Sequence, residues 1–460
     1  MTEQSATAGN SANKSAKADD FGSAEVDEAE PVSALPQQTT GYAWYALIVL
    51  FIVYVFNFID RSIVNILAES IKKDLGLADW QIGLLGAGLP FAIFYTVLGI
   101  PIARMADRHN RRNILVICLV LWSGATALCG LAGNFWHLLL ARIGVAVGEA
   151  GGSPPSHSMI SDYFAQDKRA TALGIYALGI PVGTMLGFLF GGWLTDNFSW
   201  REAFIIVGLP GLLMALFVRF ALKEPKRSYS QLAVEAKKEE PPISVVFAAL
   251  WSRRSFRFMA LGGAFHALVG YGVGPFVPMM FQRVHSMTPS DIGLALFYLG
   301  FAGILGTASG GYFADRLGKR DVRWYVWLPG TATLISVPFS TTMYLMPDPV
   351  IAFWIGAVPS FLGAYYLGPT FALAQGMVGA RMRALTASVL LFILNLISMG
   401  FGPLIVGLTS DYLTANTDLG VRAIQWALVS VLVFNVLSTV FYLMAAKDLK
   451  SDLARAHELS

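Results

Sequence analysis

The sequence predicts an all-α membrane protein: twelve transmembrane helices in two six-helix bundles related by a pseudo-two-fold axis. Three observations predict it. First, the 460 residues are 55% hydrophobic and only 14% charged, against about 25% charged in an ordinary soluble domain, and the mean hydropathy is +0.57. Second, the apolar residues gather into twelve runs, each suited to the roughly 20 residues a helix needs to cross a bilayer core about 30 Å thick. Third, the second half repeats features of the first. This composition excludes a soluble globular enzyme, a disordered regulator and a nucleic-acid binder. The net charge of +3, from 33 basic and 30 acidic residues, is too small for a DNA or RNA footprint.

Residues 1–41 are polar, with seven acids and two lysines, and are expected to form a disordered cytoplasmic tail. No signal peptide is expected at the start of this sequence, since the first apolar run is long enough to stay in the membrane. The N-terminal bundle is expected over 42–222, with runs near 44–69, 80–103, 113–132, 136–160, 170–194 and 202–222. A charged stretch over 223–254, containing Glu-Pro, Lys-Lys-Glu-Glu and Pro-Pro, reads as a cytoplasmic linker. The C-terminal bundle is expected over 255–446, with runs near 256–281, 291–313, 323–345, 349–377, 384–409 and 423–445, followed by a cytoplasmic tail at 447–460. With the N-terminus inside, 26 Lys and Arg fall on the cytoplasmic side and 5 outside: Lys72, Lys73, Arg201, Arg283 and Arg422. That bias puts both termini inside. Cys118 and Cys129 sit eleven residues apart in one run; on a helix they are about 16 Å apart, too far for a disulfide.

The halves share two segments. Ala106-Asp107-Arg108-His109-Asn110-Arg111-Arg112 after run two matches Ala314-Asp315-Arg316-Leu317-Gly318-Lys319-Arg320 after run eight, at an offset of 208 residues. Gly192-Trp193-Leu194-Thr195-Asp196 matches Gly407-Leu408-Thr409-Ser410-Asp411, at an offset of 215. Repeats in the same order and orientation suit two parallel-related transporter halves.

The duplicated Asp-Arg-x-x-Arg-Arg loop resembles the signature of the major facilitator superfamily, over residues 44 to 446. Ala103 and Asn110 depart from it where glycines are usual. Phe58-Ile59-Asp60-Arg61, Arg142-Ile143-Gly144, Gly148-Glu149-Ala150-Gly151 and Ser161-Asp162-Tyr163-Phe164 resemble the Spinster-type lipid transporters. The resemblance implies a monomeric, alternating-access carrier in a bacterial inner membrane. It also implies that Asp107 meets span eleven and Asp315 meets span five as latches that close the cytoplasmic side, because a carboxylate favours the positive end of a helix dipole. Arg108, Arg111, Arg112 and Arg316 belong to the same loops and anchor them by the positive-inside rule.

Charges inside a span cost from about 3 to above 10 kcal/mol, and four sit well inside: Asp60, Arg61, Arg142 and Glu149. At 1.5 Å per residue Asp60 and Arg142 come out at one height and can be partners, with Glu149 about 10 Å lower. Tyr54, Asn57, Arg61 and Asn65 recur at three and four residues, a polar stripe expected to line a wet cavity. The bland alternative is two structural ion pairs between spans one and four. The functional reading makes Asp60 and Glu149 proton-coupling carboxylates biased by Arg61 and Arg142. Burial and a neighbouring guanidinium pull on a buried acid's protonation in opposite directions, so a movement that breaks the contact couples proton binding to conformation.

No span interior of the C-terminal half carries a charge; it offers His266, Tyr271, Tyr298, Tyr365, Tyr366, Gln375 and Asn395 among many Phe and Met. An apolar wall facing a charged wall suits a small amphipathic substrate, with Arg61, Tyr54, Asn57 and Glu149 on one side and His266, Tyr298, Tyr365, Tyr366 and Asn395 on the other. Gly179, Gly183, Gly187 and Gly191 on span five, with Gly306 and Gly310 on span eight, are expected to be sliding contacts between the halves. Pro154-Pro155 should bend span four below Glu149. The chain has no Gly-x-x-x-x-Gly-Lys-Ser/Thr loop, and its His, Cys and acids do not cluster at metal-ligand spacing, so no cofactor and no metal are expected. Ser156-His157-Ser158 has no positioned acid for nucleophilic catalysis. The sequence therefore reads as a proton-coupled carrier of an amphipathic lipid, a lysophospholipid or sphingoid phosphate. A carrier of organic anions or drugs is the runner-up, and a non-transporting receptor or sensor on the same fold is the rival class. Its partners are the lipid bilayer, the substrate and protons, with no nucleic acid.

Overall fold

The computed structural model describes residues 40–227, 243–379 and 382–457. Residues 1–39 of the expected tail, 228–242 of the expected linker, 380–381 and 458–460 lie outside the described residues, as does the side chain of Asp107.

The described residues form twelve rods and one short extra helix. Span 1 is Gly41–Leu75, span 2 Asp79–Leu85 with Leu89–Arg108, span 3 Arg111–Cys129, and span 4 Phe135–Glu149 with Ser153–Tyr163. Span 5 is Gln166–Ala177 with Gly179–Asn197, and span 6 is Trp200–Ala221. After the helix Ile243–Ser252 come span 7 at Arg254–His285, span 8 at Pro289–Gly318 and span 9 at Trp324–Leu345. Span 10 is Pro349–Gly363 with Leu367–Gly376, span 11 Arg383–Asn416, and span 12 Ala423–Val431 with Val433–His457. Ten of the twelve rods are long and apolar enough on their own to cross a membrane. The other two are span 4, broken and charged, and span 9, rich in Ser, Thr and Pro.

Local chemistry sets the ends. The Thr40 hydroxyl accepts from the Ala43 amide and opens span 1, and Gly76, at φ +62°, closes it in the left-handed region that glycine favours. Ser199 and Glu202 make a reciprocal capping box on span 6. Span 4 breaks where expected: the first segment ends at Glu149, and the second starts with Pro154 and Pro155 in its first turn, where missing amide donors cost nothing. A Cβ on Gly148 would stand 2.5 Å from the Trp122 amide nitrogen, so spans 3 and 4 cross almost backbone to backbone just before Glu149.

The glycine stripes do not join the halves as the sequence suggested. Gly179, Gly183, Gly187 and Gly191 pack against Tyr54, Val55, Ser62 and Ile66 of span 1, inside the N-terminal bundle. Gly306 and Gly310 pack against Phe361 and Tyr365 of span 10, inside the other. A four-residue glycine spacing marks a face that admits a close neighbour, but not which neighbour. The halves meet through other glycines. Gly192 and Gly293 bring spans 5 and 8 together at Pro289 and Phe188, and Gly83 and Gly407 bring spans 2 and 11 together at Pro403 and Asp79. All four lie toward the end of the molecule away from the linker, and that end is closed. A side chain at these points would overlap the opposite backbone. Gly83→Val is therefore expected to raise the labelling of a cysteine introduced at Ser290, in the other crossing; unchanged labelling would show that the halves do not move as units.

Candidate functional site

The core of the site lies between spans 1 and 4. Arg61 donates to Glu149 through Nε at 2.8 Å and Nη2 at 2.6 Å, both to Oε2. The Glu149 side chain is fully buried, and its second oxygen, Oε1, has no hydrogen-bond partner. Three rings hold the Arg61 guanidinium: Phe58, Phe91 and Tyr95, with centroids at 5.0, 5.4 and 4.7 Å. A cation over ring faces gains attraction without losing its ion pair.

No direct hydrogen bond joins Asp60 to Arg142 among the described residues, although the guanidinium does act electrostatically on the carboxylate, as their matched heights suggested. Asp60 Oδ2 accepts from the Thr126 hydroxyl at 3.3 Å. Arg142 Nε donates to the Leu85 carbonyl at 3.1 Å. Its guanidinium lies 5.3 Å from the centroid of Phe91, whose ring thus serves both arginines. Asp60 Oδ1, Arg142 Nη1 and Nη2, and Asn57 Nδ2 are buried without hydrogen-bond partners. Unpaired buried polar atoms are expensive, and here they gather around one ion pair. Tyr54 stacks on Tyr176 with centroids 4.4 Å apart.

The C-terminal wall is a cavity of about 530 Å³ bounded by Tyr271, Ser336, Met343, Tyr344, Ser360 and Tyr366 among others. His266 lies on it, its Nε2–H donating to the Gly363 carbonyl at 2.8 Å. That leaves Nδ1 to accept from the Thr333 hydroxyl, with Asn435 at the same 3.2 Å. Both ring nitrogens of His266 are thus hydrogen-bonded, joining span 7 to spans 9 and 10, with Asn435 of span 12 beside Nδ1. Tyr271 links the walls: it lines this cavity and interacts electrostatically with Arg61 and Glu149.

Of the other residues expected on this wall, Tyr366 is there, its ring 4.7 Å from His266. Tyr365 is not: its hydroxyl accepts from Ser309 at 3.2 Å and its backbone meets Gly310, so it fastens span 10 to span 8. Tyr298 is 63% exposed on the face that carries Leu294, Phe301, Leu305 and Tyr312, which turns it away from the cavity. Asn395 is half-buried on span 11 and does not border the cavity.

The duplicated loops divide the roles expected of them. Arg111 is buried among Asp162, Ser158 and Glu224, and the Arg112 amide donates to Glu224 Oε2 at 2.9 Å. These two clamp the loop to span 4 and to the chain leaving span 6, within one bundle rather than between bundles. Arg108 and Arg316 are exposed. Asp315 accepts from the Tyr325 hydroxyl at 2.8 Å, and among the described residues no hydrogen bond joins it to span 5.

The closed end carries a network that sequence reading missed. Arg283 donates to Glu69 at 2.7 Å and to both oxygens of Asp79 at 3.0 and 2.9 Å. Lys72 and the Ser410 hydroxyl also donate to Asp79, at 2.5 and 2.6 Å. Asp411 accepts from the amides of Asp79 and Trp80 at 3.0 and 2.9 Å, at the start of span 2. Asp196 accepts from the Ser290 amide at 2.8 Å, at the start of span 8. The repeated run ending in Asp196 and Asp411 was the available signal; each caps a helix of the opposite bundle.

The sequence profile of the Major Facilitator Superfamily matches residues 50–403. An MFS-type efflux pump of Mycolicibacterium smegmatis is 33% identical over 416 residues, 89% of this chain and 94% of the pump. Protein spinster homolog 1 of Xenopus laevis is 26% identical over 442 residues, 90% of this chain and 82% of that protein. The crystal structure of a bacterial homolog to the human lysosomal transporter spinster, inward-facing and unoccupied, is 32% identical with a TM-score of 0.81, covering 90% of this chain and 99% of that one.

Proposed function

The chain belongs to the major facilitator superfamily as a membrane transporter of the Spinster type, and on that premise we propose that it is a proton-coupled carrier of an amphipathic lipid. The cargo is of the lysophospholipid or sphingoid phosphate class. The observation that carries this reading is the buried Arg61–Glu149 pair, ringed by unpaired polar atoms of Asp60, Arg142 and Asn57, opposite a largely apolar cavity.

In the proposed cycle a proton adds to the Glu149 carboxylate and dissolves the ion pair. The Arg61 guanidinium, still held by its rings, is then free to pair with the substrate's phosphate, while the alkyl chain enters the cavity past Tyr271. Asp60 is the second proton site, its Oδ1 lacking a donor. Return of Glu149 to the carboxylate recaptures Arg61 and expels the headgroup. The bias of Lys and Arg supports a cytoplasmic linker end with both termini inside, in a bacterial inner membrane, and hence an inward-facing arrangement. The latch role of Asp107 and Asp315 belongs to the opposite state, in which the linker end closes. The carrier works as a monomer.

An organic-anion or drug cargo is the second reading, favoured by the efflux pump relative. Purified protein in liposomes with an imposed pH gradient separates the two. Gradient-dependent movement of labelled lysophospholipid or sphingoid phosphate is expected. Movement of drugs or organic anions with the lipids standing still would transfer the site to that cargo.

A further inference from the structure

Where the C-terminal bundle begins, an apolar helix runs into a cluster of arginines that the transport site does not use. Helix Ile243–Ser252 buries Val246 and Leu250 against the second core, with Phe256 and Met259. Its other face exposes Val245, Phe247 and Trp251, and the last two rings stack with centroids 5.5 Å apart. A helix just ahead of the first span of a bundle with an exposed apolar and aromatic face matches the headgroup layer of a bilayer.

Arg253 follows directly. It is 6% exposed, and its Nη1 is buried without a hydrogen-bond partner. One turn on, Arg257 has a buried Nε in the same condition. Arg455, near the end of span 12, lies close enough to repel Arg253. The acid at this corner, Asp452, is shared: its Oδ2 accepts from the Ser255 amide at 3.0 Å and the Ser255 hydroxyl at 2.6 Å, while its charge also acts on Arg253. Burial pulls the Arg253 guanidinium below its ordinary value; Asp452 opposes that and Arg455 adds to it. Arg253 thus lies between the Asp452 carboxylate and the exposed Arg455, with Arg257 four residues on, and two buried donors, Arg253 Nη1 and Arg257 Nε, are unmet. A buried cation without partners is costly, and the group that best meets guanidinium forks is a phosphate oxyanion.

We propose that Arg253, Arg257 and Arg455 hold the phosphate of an anionic glycerophospholipid from the leaflet at the linker end, with its acyl chains against Val245, Phe247 and Trp251. The site is separate from the transport cavity and does not depend on what is carried. Its position ties a lipid to the joint between the linker and span 7.

The test uses purified full-length protein, with bound lipid read by native mass spectrometry and thermal stability read as lipid is added. Phosphatidylglycerol is expected to bind and stabilise the wild type. Arg253→Gln with Arg257→Gln should weaken it about tenfold or more, the loss expected for charge-assisted hydrogen bonds, whereas Arg254→Gln, an exposed neighbour, should not. Phe247→Ser with Trp251→Ser should weaken phosphatidylglycerol and leave inorganic phosphate unaffected. Equal binding of phosphatidylcholine, or of phosphatidylglycerol by the double arginine variant, overturns the proposal. So does inorganic phosphate stabilising as strongly as the lipid, which would make this a free-anion site. Arg253→Lys with Arg257→Lys keeps the charge and guards against misfolding. Partial recovery of lipid binding in that variant supports the proposal, and no recovery in a folded variant with wild-type stability overturns it.

Discussion

Glu149→Gln in liposomes is expected to lose about tenfold or more of its gradient-driven lipid flux, as loss of a hydrogen bond to a charged group implies, and what remains should ignore pH. The amide copies the shape of the protonated acid but cannot give the proton back. Arg61 loses the negative charge it pairs with at 2.6 Å and keeps its three ring contacts and at most a neutral amide oxygen. The variant is therefore fixed in the released condition: it should bind anionic lipid as well as the wild type and fail to discharge it against a gradient. Binding and flux are measured on the same preparation, by equilibrium binding and by proteoliposome uptake across a range of imposed gradients. Asp60→Asn is the companion. If both variants carry lipid with the wild type's pH dependence, neither carboxylate couples transport to protons.

Arg283→Ala is expected to open the closed end. The arginine is shared between Glu69 of span 1 and Asp79 of span 2 while itself belonging to span 7. Among the described residues its removal leaves Glu69 with only the exposed Lys73 at 3.4 Å, and Asp79 with Lys72 and Ser410. Stripping one partner from a buried pair costs about 3–5 kcal/mol. Lys72 keeps part of that, so a shift of about tenfold to a hundredfold in the balance between closed and open ends is the reasonable scale. Paired spin labels in the 76–78 and 417–419 loops read it directly, as a new population at longer distance. An unaltered distance distribution would mean that the network is decoration on a contact made by the glycine crossings alone.

The rods, the two bundles and the charged patch between spans 1 and 4 were legible because they follow from one-dimensional quantities: run length, charge depth and repeat offset. What depends on rotation about a helix axis was not. Asp60 and Arg142 do interact electrostatically, yet Thr126 meets the carboxylate and Phe91 lies beside the guanidinium. Phe91 and Tyr95, four residues apart just after Pro90, complete the Arg61 site; among so many aromatics nothing singled them out. Tyr298 and Tyr365 are cavity candidates by composition and packing or surface residues by azimuth. Lys72 and Arg283 counted only as outside charges in the sequence, and only folding brings Arg283 to Glu69 and Asp79. The Asp196 and Asp411 repeat was visible as a repeat and silent as to its purpose.

Those two aspartates carry a consequence for kinetics. Each caps the first turn of a helix in the opposite bundle, and the pseudo-two-fold axis runs between them. A rotation of one half against the other that strips Asp196 from Ser290 must strip Asp411 from Asp79 and Trp80 in the same movement. Neither clasp can slip while the other holds. Single-molecule recordings of this end should therefore show two levels with abrupt jumps and long dwells, not a ladder of partial openings, and weakening either clasp should shorten the same dwell.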